Sequence, residues 1–81
     1  MKDLVLRIDD IYVPTKRREE IDPATVEAIA ESMLETGQQT PIMVRDDGRR
    51  LILVHGLQRL EACRSLGEET IVGIKVQARQ R

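Results

Sequence analysis

The stretch LVHGLQRLEACRSLGEETI, residues 53–71, decides how this chain is read. It opens as an apolar strand, breaks at Gly56 and runs on with helical spacing to a second glycine, Gly67. At about 100° per residue, Leu60, Ala62, Cys63 and Leu66 mark the buried arc, with Gln58, Glu61, Arg64 and Ser65 turned outward. Arg59 falls inside that apolar arc and in the first turn. There the helix dipole already presents positive charge, and desolvation opposes a lone cation. Arg59 therefore needs an anion. Two sources are open: a carboxylate from elsewhere in the fold, or a bound ligand. The strand–glycine–helix junction is a general phosphate-binding arrangement. Gly56 permits close backbone approach, helical N–H groups face the anion, and Arg59 adds a bidentate charge.

Upstream of that stretch the chain reads as a hairpin. Residues 41–45 and 50–54 are apolar-rich runs around DDGR, where Asp47-Gly48 is a strong turn signal. Further back, Asp22-Pro23 opens another helix, an acidic N-cap followed by a proline that gives up no needed N–H. Val26, Ile29, Ala30, Met33 and Leu34 recur as its core stripe, and Gly37 sits where a left-handed C-terminal cap belongs. Glu27, Glu31 and Glu35 make its outer face acidic, a face that would repel a DNA backbone. Between the two runs a strip of small side chains, Thr25, Ala28, Ser32 and Thr36. It is either a helix edge beside a neighbouring loop or a wall facing a ligand. Residues 4–8 and 11–13 are short extended pieces, and TKRREEI (15–21) reads as a charged loop. TIVGIKV (70–76) is a last strand with Val72, Ile74 and Val76 on one face. The order predicts an α/β (α+β) fold, a small mixed sheet with two principal helices. A single domain over residues 1–81 is expected, with its core at about 4–76 and a tail at 77–81.

Composition narrows the function. A chain of 81 residues buries only about 60% of its unfolded surface, so the core is small. Tyr12 is the sole aromatic, with no Phe or Trp, which removes the stacking platforms that single-stranded nucleic acid requires. Thirteen basic against fourteen acidic side chains argue against a dedicated electrostatic DNA binder. Cations gather locally in Lys16-Arg17-Arg18, in Arg49-Arg50 and in Lys75, Arg79 and Arg81. The one cysteine, Cys63, lies on an apolar helix face and reads as a small core residue. Nothing resembles a signal peptide or membrane span, so a cytoplasmic protein without membrane contact is expected. His55, the only histidine, is either a strand-end polar residue with a local hydrogen bond or a phosphate contact and proton donor.

Two segments together, IDPATVEAIAESMLETGQQTPIMV (21–44) and LVHGLQRLEACRSLGEETI (53–71), resemble the ParB/sulfiredoxin superfamily, in particular its ParB-like N-terminal domain. Members of that superfamily include nucleotide-gated DNA-partition clamps, ATP-using sulfinic-acid reductases and a free-serine kinase. The resemblance implies a nucleoside triphosphate, CTP or ATP with Mg, whose phosphates lie at the start of the second helix. It implies phosphate contacts from Gly56, Leu57, Gln58 and Arg59, beside which His55 is a further nucleotide-binding candidate, and an arginine ahead of the first helix at Arg18. Ser32 would stand on the nucleotide-facing wall, and the turn from Gln38 through Thr40 to Pro41 near the nucleoside. Glu19 and Glu20 are candidate metal ligands or a general base. The superfamily's sulfur-repair nucleophile would fall at Leu57, which lacks a nucleophilic atom, so that chemistry is not expected. The paired arginines of partition proteins are here Gln58 and Arg59. No helix-turn-helix follows the last strand, consistent with a free-standing or excised module. The implied function is nucleotide binding in DNA partition or DNA-linked regulation, with weak DNA contact and a partner protein or homodimer. A small ATP- or ADP-dependent phosphotransferase is the alternative. Any enzymatic activity is expected to be at most slow nucleotide hydrolysis or phosphotransfer.

Overall fold

The computed structural model describes residues 2–37 and 40–77. Five strands, β1 (Leu4–Arg7), β2 (Ile11–Tyr12), β3 (Ile42–Asp46), β4 (Leu51–His55) and β5 (Thr70–Lys75), form one sheet in the order β1-β5-β3-β4-β2. Three helices accompany it: α1 (Thr15–Arg18), α2 (Pro23–Thr36) and α3 (Leu57–Ser65). A 3₁₀ turn, Ile8–Asp10, links β1 to β2. The β1–β5 and β3–β4 pairs are antiparallel, whereas β3–β5 and β2–β4 are parallel. This is the mixed sheet with two principal helices that the sequence predicts. A register shift between Met43 and Val44 interrupts the hairpin and helps the sheet curl.

The two helices start and stop where their terminal residues dictate. At α2, the Asp22 carboxylate accepts from the Ala24 N–H at 3.3 Å, Pro23 takes the first position, and the Gly37 N–H bonds back to Met33. At the β4–α3 junction, Gly56 has φ +106°, in the region that only glycine occupies readily. A Cβ there would lie 2.6 Å from Ile42 Cγ2 and 3.2 Å from Ile42 Cα. The glycine is thus required by β3 as well as by the turn.

The core is aliphatic. Leu57, Leu60, Ala62 and Cys63 of α3 pack with Ile42, Val44, Leu53, Ile71 and Leu6 from the sheet and with Ala30 and Met33 of α2. Two expectations need correction, at Leu34 and at residues 15–18. Leu34 is 72% exposed, because the stripe of α2 that meets α3 is narrower than its apolar periodicity suggests. In β5 the core receives Ile71 and Gly73, while Val72 and Ile74 lie on the outer face. Gly73 serves there because Leu6 Cδ1 and Ile42 Cγ1 fill the space of its missing side chain. Residues 15–18 are not a loop but one helical turn, begun by Pro14, whose carbonyl accepts from the N–H groups of Arg17 and Arg18. Among the described residues, no helix is long and apolar enough to cross a membrane.

Candidate functional site

The turn α1 and the helices α2 and α3 converge on the β4–α3 junction. Two contiguous depressions open there, sharing Ile29 and Arg59. One, of about 310 Å³, is lined by Arg17, Glu20 and the run from His55 to Arg59. The other, of about 370 Å³, is walled by Ala24, Thr25, Ala28 and Ser32 of α2 and closed by Arg59. The small-residue strip of α2 therefore borders a cleft. Short side chains there leave room that larger ones would fill.

Arg59 stands at the divide between the two lobes and is half-buried. Among the described residues, no carboxylate oxygen comes within 4.0 Å of its guanidinium. Of the two anion sources open in the sequence, the internal carboxylate is absent among those residues. Nor does a side chain cap α3, because its N-cap is Gly56, so the dipole meets the cleft unneutralised. Leu57 contributes only backbone to this lobe, since its side chain is in the core.

Arg17 is the functional candidate that sequence reading missed. Its Nη1 donates to the Val54 carbonyl at 3.2 Å, and its Nε lies 3.3 Å from Glu20 Oε1. These contacts aim a second guanidinium at the lobe that holds Arg59. Arg18 turns the other way. Its Nε donates to the Val13 carbonyl at 3.2 Å, and its side chain lines a separate depression with Ile21, Glu61 and Arg64. Within a helical turn, successive residues such as these point about 100° apart. Recognising residues 15–18 as helical would have revealed the difference.

Gln58 does not point into open solvent as its helical angle suggested. Its Oε1 accepts the Asp22 N–H at 2.9 Å and its Nε2 donates to the Glu20 carbonyl at 2.8 Å. It straps the loop between α1 and α2 to the start of α3. Asp22, besides capping α2, accepts from the Thr25 hydroxyl at 2.7 Å.

The remaining candidates separate by position. Glu20 and His55 border the lobe at the start of α3, and Ser32 borders the other. Glu19, Thr40 and Pro41 line neither lobe among the described residues, and Gln38 lies outside the described residues. Among the described residues, no group of three or more His, Cys, Asp or Glu side chains is placed to hold a metal ion. Cys63 is fully buried, and burial, reinforced by Glu68, pushes its thiol above the ordinary value. A protonated, buried thiol is neither a nucleophile nor a metal ligand.

A strand–glycine–helix junction with two arginines beside it, on a sheet of this order, defines a mixed α/β domain with a cationic cleft. The ParB N-terminal domain family matches residues 4–81, and the chain belongs to that family. No curated protein matches it. Among solved structures, sulfiredoxin from Arabidopsis thaliana superposes with a TM-score of 0.85 at 26% identity, over 96% of this chain and 88% of that one. The C-terminally truncated chromosome-partitioning protein ParB from Caulobacter crescentus, complexed with CTP-gamma-S, gives 0.78 at 21%, over 99% of this chain and 47% of that one. A free serine kinase variant in complex with ADP gives 0.80 at 15%, over 94% and 31%. The chain thus spans about half of that ParB and about a third of the kinase.

Proposed function

We propose that the cleft binds a nucleoside triphosphate, CTP or ATP, and that the domain acts as a nucleotide-responsive module in DNA partition or DNA-linked regulation. One observation carries the reading: Arg17 and Arg59 converge on an uncapped helix N-terminus, and Arg59 has no carboxylate partner among the described residues. Similar folds support it, since one relative is complexed with CTP-gamma-S and another with ADP. Phosphates would sit in the lobe of His55 to Arg59, with the N–H groups of α3 and the two guanidiniums as donors. The nucleoside would extend along Ser32 and Ala28 toward Thr40 and Pro41. A Mg ion would be held chiefly by phosphate oxygens, with Glu20 the nearest carboxylate to complete its shell.

Titration calorimetry with CTP, ATP, ADP and GTP, with and without Mg, tests this. Arg59→Ala is expected to weaken the preferred nucleotide by about 10- to 100-fold, the worth of a charge-assisted hydrogen bond. No binding by the wild type, or binding indifferent to the substitution, overturns the reading. A second reading is favoured by Glu20, whose carboxylate borders the same lobe as His55. In a phosphotransferase Glu20 would act as general base, giving steady ADP release that Glu20→Gln abolishes.

A further inference from the structure

The sheet has two edges, β1 and β2, and they are built differently. The β2 edge is closed by its own sequence. It is two residues long, it runs into Val13-Pro14, and the Arg50 guanidinium lies 3.8 Å from the centre of the Tyr12 ring. Among the described residues, no strand pairs with the outer side of β1. The Ile8 N–H donates to the Glu69 carbonyl at 3.0 Å, at the end of the antiparallel β1–β5 ladder. Such a ladder alternates with period two, so Leu4 and Leu6 aim their N–H and C=O groups at β5. Val5 and Arg7 aim theirs off the sheet.

The same alternation sorts the side chains. Leu6 is buried beneath the sheet, whereas Val5 is on the outer face and 74% exposed. It pairs across the ladder with Val72, and Ile74 and Met43 continue an aliphatic outer face. Continuing the alternation one residue back places Asp3 on the face of Val5 and Arg7. The edge therefore reads acid, valine, base at every second position. Arg7 makes a loose exposed contact, 3.9 Å from Asp10.

We propose that β1 pairs antiparallel with β1 of a second copy of this chain, with Val5 opposite the partner's Val5. In that register Asp3 faces the partner's Arg7, and Arg7 faces the partner's Asp3. Two ion pairs flank a valine pair, and the unused N–H and C=O groups of Val5 and Arg7 become ladder bonds. A parallel pairing sets Asp3 against the partner's Asp3, and a two-residue slip leaves the charges unmatched. Charge complementarity thus selects one register and one kind of partner. A ribbon this short covers less than a standard interface, so the dissociation constant is on the order of 100 μM.

Sedimentation velocity from about 10 μM to about 1 mM tests the pairing. Asp3→Arg and Arg7→Asp are each expected to weaken association on the order of tenfold, because each change converts both symmetric ion pairs into repulsions. The double variant Asp3→Arg/Arg7→Asp restores the pattern in reverse and should return to within about twofold of wild type. Arg59→Ala should associate as wild type does, which separates this edge from the nucleotide cleft. Circular dichroism checks that each variant is folded. A monomer at every concentration, single variants that associate like wild type, or a double variant that stays weak each overturns the proposal.

Discussion

The starts of α2 and α3 lie side by side and are finished in opposite ways. At α2, Asp22 is extended (φ −111°, ψ 107°), its carboxylate takes a helical N–H, and Pro23 removes a donor that would otherwise be orphaned. At α3, Gly56 supplies no side chain, and the guanidiniums of Arg17 and Arg59 stand nearby, Arg17 paired with Glu20 and Arg59 without a carboxylate partner among the described residues. One helix answers its dipole internally. The other adds positive charge to a positive end, an arrangement that lowers its own stability and suits an external anion. Gln58 ties the two together by bonding the Asp22 N–H and the Glu20 carbonyl from the first turn of α3. The closed start thus positions the open one.

The largest effect should come from giving the open start a side chain. Gly56→Ala forces an L-residue to φ +106° and drives its Cβ to 2.6 Å from Ile42 Cγ2, with Ile42 backbone only 3.2 Å away. The conformational cost is roughly 1–2 kcal/mol, and overpacking adds roughly 1–3 kcal/mol. A loss of about 3 kcal/mol is a large part of what a domain of this size holds. Urea unfolding should show a collapsed midpoint with an unchanged slope. A midpoint near wild type would mean that β4 and α3 can rearrange freely, and the contrast between the two starts would lose its basis.

Much of this contrast is legible in the sequence, and the limits have physical reasons. Asp22-Pro23 and Gly56 are local signals, since capping and left-handed turns depend on residues within a few positions. The arc containing Arg59 follows from helical period alone. By contrast, Arg17 was hidden because TKRR has no apolar periodicity, and its turn is set by Pro14 and by the Val54 carbonyl, 37 residues away. The strapping role of Gln58 is equally non-local, reaching 36 and 38 residues back. In β5 the alternation is legible, but which of its faces meets the core is not. That choice rests on Gly73, whose missing side chain makes room for Leu6.

At the closed start the expected effect is smaller. Asp22→Ala leaves the Ala24 N–H and the Thr25 hydroxyl without their acceptor and should cost about 1 kcal/mol in urea unfolding. Asp22→Asn retains a capping oxygen and should stay within about 0.5 kcal/mol of wild type. Because the cap is exposed, the loss should appear as faster amide exchange in the first turn of α2, with the α3 amides little changed. Equal loosening of both helices would show that the two starts form one cooperative unit.

The smallest stability effect should fall on the residue with the largest proposed role. Arg59→Met keeps an aliphatic stem between the two lobes and removes the charge. In the ligand-free protein that charge opposes the dipole of α3 and has no carboxylate partner among the described residues, so its removal should change stability by at most about 0.5 kcal/mol, with a slight gain as the natural sign. Arg17 differs, because its guanidinium also holds the Val54 carbonyl and Glu20. Adding pyrophosphate should then separate the proteins: wild type gains thermal stability by mass action, and Arg59→Met gains far less. If Arg59→Met is instead strongly destabilised without ligand, the cation is serving the fold, and the open start of α3 owes its form to packing rather than to an anion.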